Sequence, residues 1–231
     1  MHFVLDRIGS VTTWHDNESI PGDIIKSRSS IIANELKEQG VAAGDTVLIY
    51  HGGDAHFFSD LFGVWKSGAC AVCLNPNLTE SELINIINFM SPKLLLYKGD
   101  LKISNDLNIL CLDTGKLKEK DLSGNDFLRE TNIDNDALIL FTSGTTGVPK
   151  GVVHTFRSLL SRIALNQSYI PRDVMKKTLC VLPTHFGHGL IGNCLTPLMA
   201  GCDLIIAPGN NLVVSSELNK IIDDYEISFM S

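Results

Sequence analysis

Positive charge is scarce in this chain. Its 231 residues carry 19 Lys and Arg against 26 Asp and Glu, a net charge of −7. A surface with no surplus of cations is poorly suited to displacing phosphate counterions, which argues against a general nucleic-acid binder. The deficit says nothing about one local anion site. A secretory leader is not visible either, because the first ten residues place Asp6 and Arg7 inside a short apolar run. Long uninterrupted apolar runs are missing. The most hydrophobic stretch, 190–208, is broken by Gly192, Asn193, Pro197 and Gly201. A spanning helix needs about 20 mostly apolar residues, so no membrane span is expected. The stretch reads instead as a broken helix leading into a buried strand at 203–207. Zinc-type cysteine spacing is also lacking. Of six cysteines, Cys70 and Cys73 form one C-x-x-C, and no second pair follows. In a strand, an offset of three sends the two thiols to opposite faces. Reduced buried thiols are expected, and a cytoplasmic location fits them.

Apolar residues make up 44% of the chain, enough for a proper core. At roughly 150 residues per domain, the length suits one large domain or a domain and a half. Two periodicities alternate. Residues 23–39 carry a helical stripe ending at Gly40, and 46–50 form a β-rich run. Helix is expected at 55–66, strand at 69–74, and strands again at 93–97 and 108–112. Thr79 and Glu82 form a capping box that opens a helix bearing Leu83, Ile84, Ile87 and Met90. This rhythm predicts an α/β fold with largely parallel sheets flanked by helices. Residues 113–136 differ, since eleven of these 24 are charged, and an exposed connector is expected there.

The most informative segment follows an apolar strand at 137–141. It reads Thr142-Ser143-Gly144-Thr145-Thr146-Gly147-Val148-Pro149-Lys150-Gly151, and a helical stretch at 156–167 comes after it. Glycines let backbone amides turn toward an anion. Hydroxyls donate neutral hydrogen bonds, and Lys150 adds a compact positive charge. No acid is present to repel phosphate. The Walker pattern G-x-x-x-x-G-K-S/T does not fit, because Pro149 precedes the lysine and Gly151 follows it. The dinucleotide pattern G-x-G-x-x-G is also absent here. A mobile turn of small residues is the bland alternative.

The 142–151 segment resembles the phosphate-loop motif of the adenylate-forming, AMP-binding superfamily. Acyl-CoA and aryl-CoA synthetases, peptide-synthetase adenylation domains and luciferases belong to it. Trp65-Lys66-Ser67-Gly68-Ala69, Asn75-Pro76-Asn77-Leu78-Thr79, and Leu182-Pro183 through His188-Gly189-Leu190 agree with that family in order and spacing. The resemblance implies that a carboxylate attacks the α-phosphorus of ATP and pyrophosphate leaves. A thiol, usually coenzyme A, then takes the acyl group, with magnesium neutralising the phosphates. Thr142, Ser143, Gly144, Thr145, Thr146, Gly147 and Lys150 would bind the nucleotide. His185, Phe186 and His188 would begin the pocket for the carboxylic acid. His154 and Lys66 are read as structural. Between Leu182 and Leu195 there is no acid, and a buried ammonium would need one. An acyl or aryl acid is therefore favoured over an amino acid, with fatty acid metabolism one setting.

The family's later tyrosine-glycine-x-threonine-glutamate segment and its threonine-glycine-aspartate do not occur. The expectation is thus an incomplete N-terminal domain over 1–231, without the C-terminal domain and inactive alone. Two alternatives are kept: a non-catalytic module binding nucleotide or a complementing chain, and a fragment of an amino-acid adenylation domain.

Overall fold

The computed structural model describes residues 5–101, 108–117, 129–142, 150–207 and 211–230. Strands β1 (Val11–Thr13) and β2 (Glu18–Ile20) lead into helix α1 (Gly22–Glu38). Next come β3 (Thr46–Ile49), α2 (His56–Lys66), β4 (Cys70–Cys73), α3 (Glu80–Met90), β5 (Leu94–Tyr97) and β6 (Leu110–Asp113). Strands β7 (Asp136–Thr142) and β8 (Lys150–Thr155) precede α4 (Phe156–Tyr169) and β9 (Lys177–Cys180). A wide helical stretch at His188–Leu195 runs into the short α5 (Thr196–Leu198), then β10 (Asp203–Ile206), α6 (Asn211–Tyr225) and β11 (Phe229–Met230).

The strands form two mostly parallel sheets. One has the order β11-β9-β10-β1-β2, the other β6-β5-β3-β4-β7-β8. The antiparallel pairings are β1 with β2 and β7 with β8, so β2 and β8 are antiparallel edge strands. This is the α/β class that the alternating pattern predicts. Three apolar clusters define the layers. The largest joins Val11, Leu204 and Ile206 of the first sheet to Val47, Ile49, Leu138 and Leu140 of the second, through α1, α2 and α4. A second lies under α3 on the far face of the larger sheet. A third lies under α6 on the far face of the smaller sheet. The order is therefore helix, sheet, helices, sheet, helix. Cys73 belongs to the first cluster and Cys70 to the second, on opposite faces of β4 as the offset of three requires. Burial pushes the Cys70 thiol up to about 12 and Cys73 further. Among the described residues, no helix is long and apolar enough to cross a membrane.

Helix α2 is buried from Phe57 to Lys66, because it sits between two sheets rather than on one. Gly63 allows α1 to approach it. A methyl group at that position would lie 2.5 Å from Ile32 Cβ. Lys66, 4% exposed, donates from Nζ to Ser30 Oγ (2.6 Å) and to the Lys26 carbonyl (3.2 Å). The lysine thus ties α2 to α1. The capping box at Thr79 is formed in both directions.

Two features depart from the sequence reading. The loop at 142–151 does not pass straight into a helix. Strand β8 intervenes, because Val152, Val153 and Thr155 favour extended backbone. The expected exposed connector is also tied down where it is described. Thr114 and Thr131 are buried. Arg129 donates its backbone N–H to the Lys66 carbonyl (3.1 Å) and its guanidinium to the Val41 carbonyl (3.0 Å). Charge-rich composition does not reveal such bonds, since they capture backbone oxygens far away in sequence.

Two measurements check this packing. Gly63→Ala is expected to lower unfolding free energy in urea by about 1–3 kcal/mol through overpacking; a neutral result would mean that α1 and α2 separate at little cost. Ser30→Ala, which takes one acceptor from the buried Lys66 ammonium, is expected to cost about 1–3 kcal/mol, read from the same denaturation curves.

Candidate active site

The strands on either side of the hydroxyl-glycine segment pair as a β-hairpin. Thr142 pairs with Lys150, Phe141 with Gly151, Leu140 with Val152 and Leu138 with His154. Thr142 and Lys150 are therefore the last paired residues before the turn. Ser143, Gly144, Thr145, Thr146 and Gly147 lie outside the described residues. Strand β7 is parallel to β4, so Thr142 lies at the carboxyl edge of the larger sheet. In sheets of this kind ligands bind at that edge.

The phase of the hairpin is set by a bulge between Asp136 and Leu138. There the buried Trp65 indole N–H donates to the Ala137 carbonyl at 2.7 Å. A one-residue change of register would turn every side chain to the other face. With the bulge in place, period-two alternation puts Lys150, Val152 and His154 on the face shared with Leu138 and Leu140. That face looks toward the segment after β9. A methyl group at Gly187 would touch Leu140 Cδ1 at 3.4 Å.

The segment after β9 closes the site from the smaller sheet. Phe186 N–H donates to the Pro183 carbonyl (3.1 Å), and Leu190 N–H to the Phe186 carbonyl (2.8 Å). The chain therefore turns tightly before its wide helical stretch. Gly189 is required at that turn, because a methyl group there would meet Leu182 Cβ at 2.8 Å. The turn after β9 also meets the loop after β3. A Gly52 Cβ would lie 2.4 Å from Thr184 Oγ1. The carboxyl edges of both sheets thus converge here.

Between the hairpin, α4 and the wide helical stretch lies a cleft of about 620 Å³. His154 comes from β8, and Ser158, Arg162 and Asn166 come from α4. Their spacing of four aligns them along one helix face. Phe156, Leu159 and Ile163 of the same helix are buried. His188, Ile191, Gly192 and Asn193 form the opposite wall, and Phe229 of β11 completes the lining. Among the described residues, no carboxylate lines this cleft. Partial burial holds the His154 ring below its ordinary pKa, and the Arg162 charge pushes the same way.

Of the expected acid-pocket residues, His188 enters this cleft. His185 and Phe186 sit beside it as a tilted ring pair with centroids 4.8 Å apart. Burial lowers the His185 pKa. His154, read from sequence as structural, stands on the cleft wall. Ser158, Arg162, Asn166 and Asn193 were not anticipated. The helical spacing of the first three was visible, but nothing in it said which side of α4 would meet a cleft.

A second polar cluster lies at the same sheet edge. His51 Nε2 is 2.7 Å from Asp60 Oδ2, and Thr114 Oγ1 donates to that oxygen at 2.7 Å. Asp60 is wholly buried, on α2. The cluster pins the chain after β3 and the turn after β6 onto that helix. Among the described residues, no group of three His, Cys, Asp or Glu could hold a metal ion.

Residues 19–231 match the AMP-binding enzyme family. Among curated proteins, the chain is 31% identical over 198 residues to "Probable CoA ligase CCL8" of Humulus lupulus, covering 76% of this chain and 32% of that protein. It is 27% identical over 221 residues to 4-coumarate–CoA ligase 2 of Petroselinum crispum, covering 85% and 39% respectively. The chain thus spans about a third to two fifths of these relatives' lengths. Among solved structures, a fatty acyl-adenylate ligase from L. pneumophila, in complex with acyl adenylate and pyrophosphate, superposes with a TM-score of 0.82 at 21% identity. That likeness covers 97% of this chain and 41% of the other. The two-sheet layering and a hydroxyl-glycine hairpin at the carboxyl edge agree with a match covering nearly the whole sequence: the chain belongs to the AMP-binding enzyme family.

Proposed function

We propose that this chain supplies the phosphate-holding and acid-receiving part of an ATP-dependent carboxylate–CoA ligase. The observation that carries this reading is the hydroxyl-glycine segment, held between paired Thr142 and Lys150 at the carboxyl edge and next to a polar cleft. In this reading, a carboxylate oxygen attacks the α-phosphorus of ATP, the bond to the bridging oxygen breaks, and pyrophosphate leaves with that electron pair. The resulting acyl-adenylate passes its acyl group to the coenzyme A thiol, and AMP is released. Lys150 and the loop amides and hydroxyls hold the β- and γ-phosphates, where negative charge collects on the leaving group. Among the described residues, no group of three His, Cys, Asp or Glu stands ready to hold magnesium.

The lining of the cleft bears on the acid. A buried ammonium needs a carboxylate partner, and the described lining residues include none. This favours an acyl or aryl acid over an amino acid. The six cysteines are free thiols, which suits a reducing compartment, and we infer a cytoplasmic protein. The family's tyrosine-glycine-x-threonine-glutamate segment is not in the sequence. We infer that 1–231 alone does not complete the reaction, with a complementing chain as the alternative source of the missing contacts.

ATP–pyrophosphate exchange tests this assignment, in the protein containing this chain together with the missing motifs. Exchange is expected to depend on an added carboxylic acid and to fall about 10²–10³-fold in Lys150→Ala, as for loss of one charge-stabilising donor. Exchange unchanged in that variant would remove the phosphate-holding role.

A further inference from the structure

We propose that Thr196 is a positioning residue for the acid-receiving wall, its hydroxyl locking the wide winding of 188–195 against α4. The inference deepens the adenylation reading and rests on it. Winding of this kind is rare, and where it persists it is frequently at a functional site. Here it is confined. Leu190 N–H donates to the Phe186 carbonyl four residues back (2.8 Å), and Met199 N–H to the Leu195 carbonyl (3.0 Å). Between them, the Thr196 N–H reaches five residues back, to the Ile191 carbonyl. Pro197 has no N–H with which to extend that pattern. Gly189 and Gly192 weaken the stretch further. The backbone alone therefore gives it little support.

Thr196 supplies the support. Its wholly buried hydroxyl donates to the same Ile191 carbonyl at 2.7 Å. A threonine in an ordinary helix bonds back to a carbonyl three or four residues before it, here that of Asn193 or Gly192. A hydroxyl seated on Ile191 therefore fits the wide winding and not the ordinary one. Two residues of α4 fix it in place. Asn166 Nδ2 donates to Thr196 Oγ1 (3.1 Å), and Gln167 Nε2 donates to the Thr196 carbonyl (2.8 Å). The hydroxyl thus accepts from α4 and donates into the wide stretch. Asn166 and Ile191 both line the cleft, so this relay joins its two walls. Loss of one residue from the wide turn would rotate His188 by about 100° relative to Thr196. That rotation would carry His188 off the wall it now forms.

The test is pyrophosphate exchange in the protein containing this chain and the missing motifs, driven by acetate, octanoate, succinate, benzoate or 4-coumarate. For the acid that drives it best, Thr196→Val is expected to raise the acid KM about tenfold, the size of one lost buried hydrogen bond. The KM for ATP should stay unchanged, and Thr196→Ser should recover most of the loss. Gln167 is not among the described residues lining the cleft, so Gln167→Leu reaches the acid only through Thr196. It is expected to raise the acid KM about threefold, and it carries the test if Thr196→Val does not fold. Amide hydrogen exchange across 188–196 should quicken about tenfold in Thr196→Val, with α3 unchanged. An unchanged acid KM, equal rises for acid and ATP, or Thr196→Ser as impaired as Thr196→Val would overturn the proposal. Unchanged amide exchange would reject the lock itself. Pyrophosphate exchange absent with every acid in the unsubstituted protein would sink adenylation, and the acid-wall role with it, whatever the amides show.

Discussion

Helix α2 has no face left for water. Its ten residues from Phe57 to Lys66 are all buried, which is possible only because a sheet lies on either side of the helix layer. Burying its aromatic side chains contributes about 1.5–3 kcal/mol for each. That gain holds the two sheets at a fixed separation. Phe57, Phe58, Phe62 and Trp65 run as a chain of edge and tilted ring contacts, and the chain ends on Phe156 of α4. Two of the polar exceptions on the helix are answered from other elements. Lys66 is met by α1, and Asp60 by His51 and Thr114. Such buried charges are weak sources of stability but strong determinants of geometry.

The candidate site depends on that central layer. Trp65 donates to the Ala137 carbonyl at the bulge in β7. The bulge sets the phase of the hairpin, and the phase puts Lys150 and His154 on one face, with His154 lining the cleft. Loop, cleft and helix core are thus linked by one hydrogen bond from the interior. The hairpin also joins two charge environments. The segment between β7 and β8 is rich in glycine and hydroxyl residues, and His154 of β8 lines the same cleft as Arg162 and His188.

Much of the site was legible in the sequence. The hydroxyl-glycine segment identifies itself by composition and by position after an apolar strand, and the turn from Leu182 to Leu190 identifies the second wall. The capping box at Thr79 was readable because it is local: four consecutive residues satisfy each other's backbone. Arg162 was not readable. Its polar stripe at 158, 162 and 166 looks like any solvated helix face until the stretch from Gly187 to Asn193 is brought opposite it. Nor was the connection of the loop to α4 seen as a strand. Val152 and Val153 are both largely exposed, so no alternation of buried and exposed residues marked it.

The sequence by itself determined the element types over most of the chain, the alternation that makes parallel sheets, and the glycine, hydroxyl and lysine content of the segment between β7 and β8. These are matters of local spacing and side-chain type, and they act over a few residues. Tertiary structure alone decided that two sheets enclose α2, that their carboxyl edges converge where Gly52 meets Thr184, and that His154, Arg162 and His188 share one cleft. Those contacts join residues scores of positions apart. Their partners are chosen by burial and register, which no short stretch of sequence encodes.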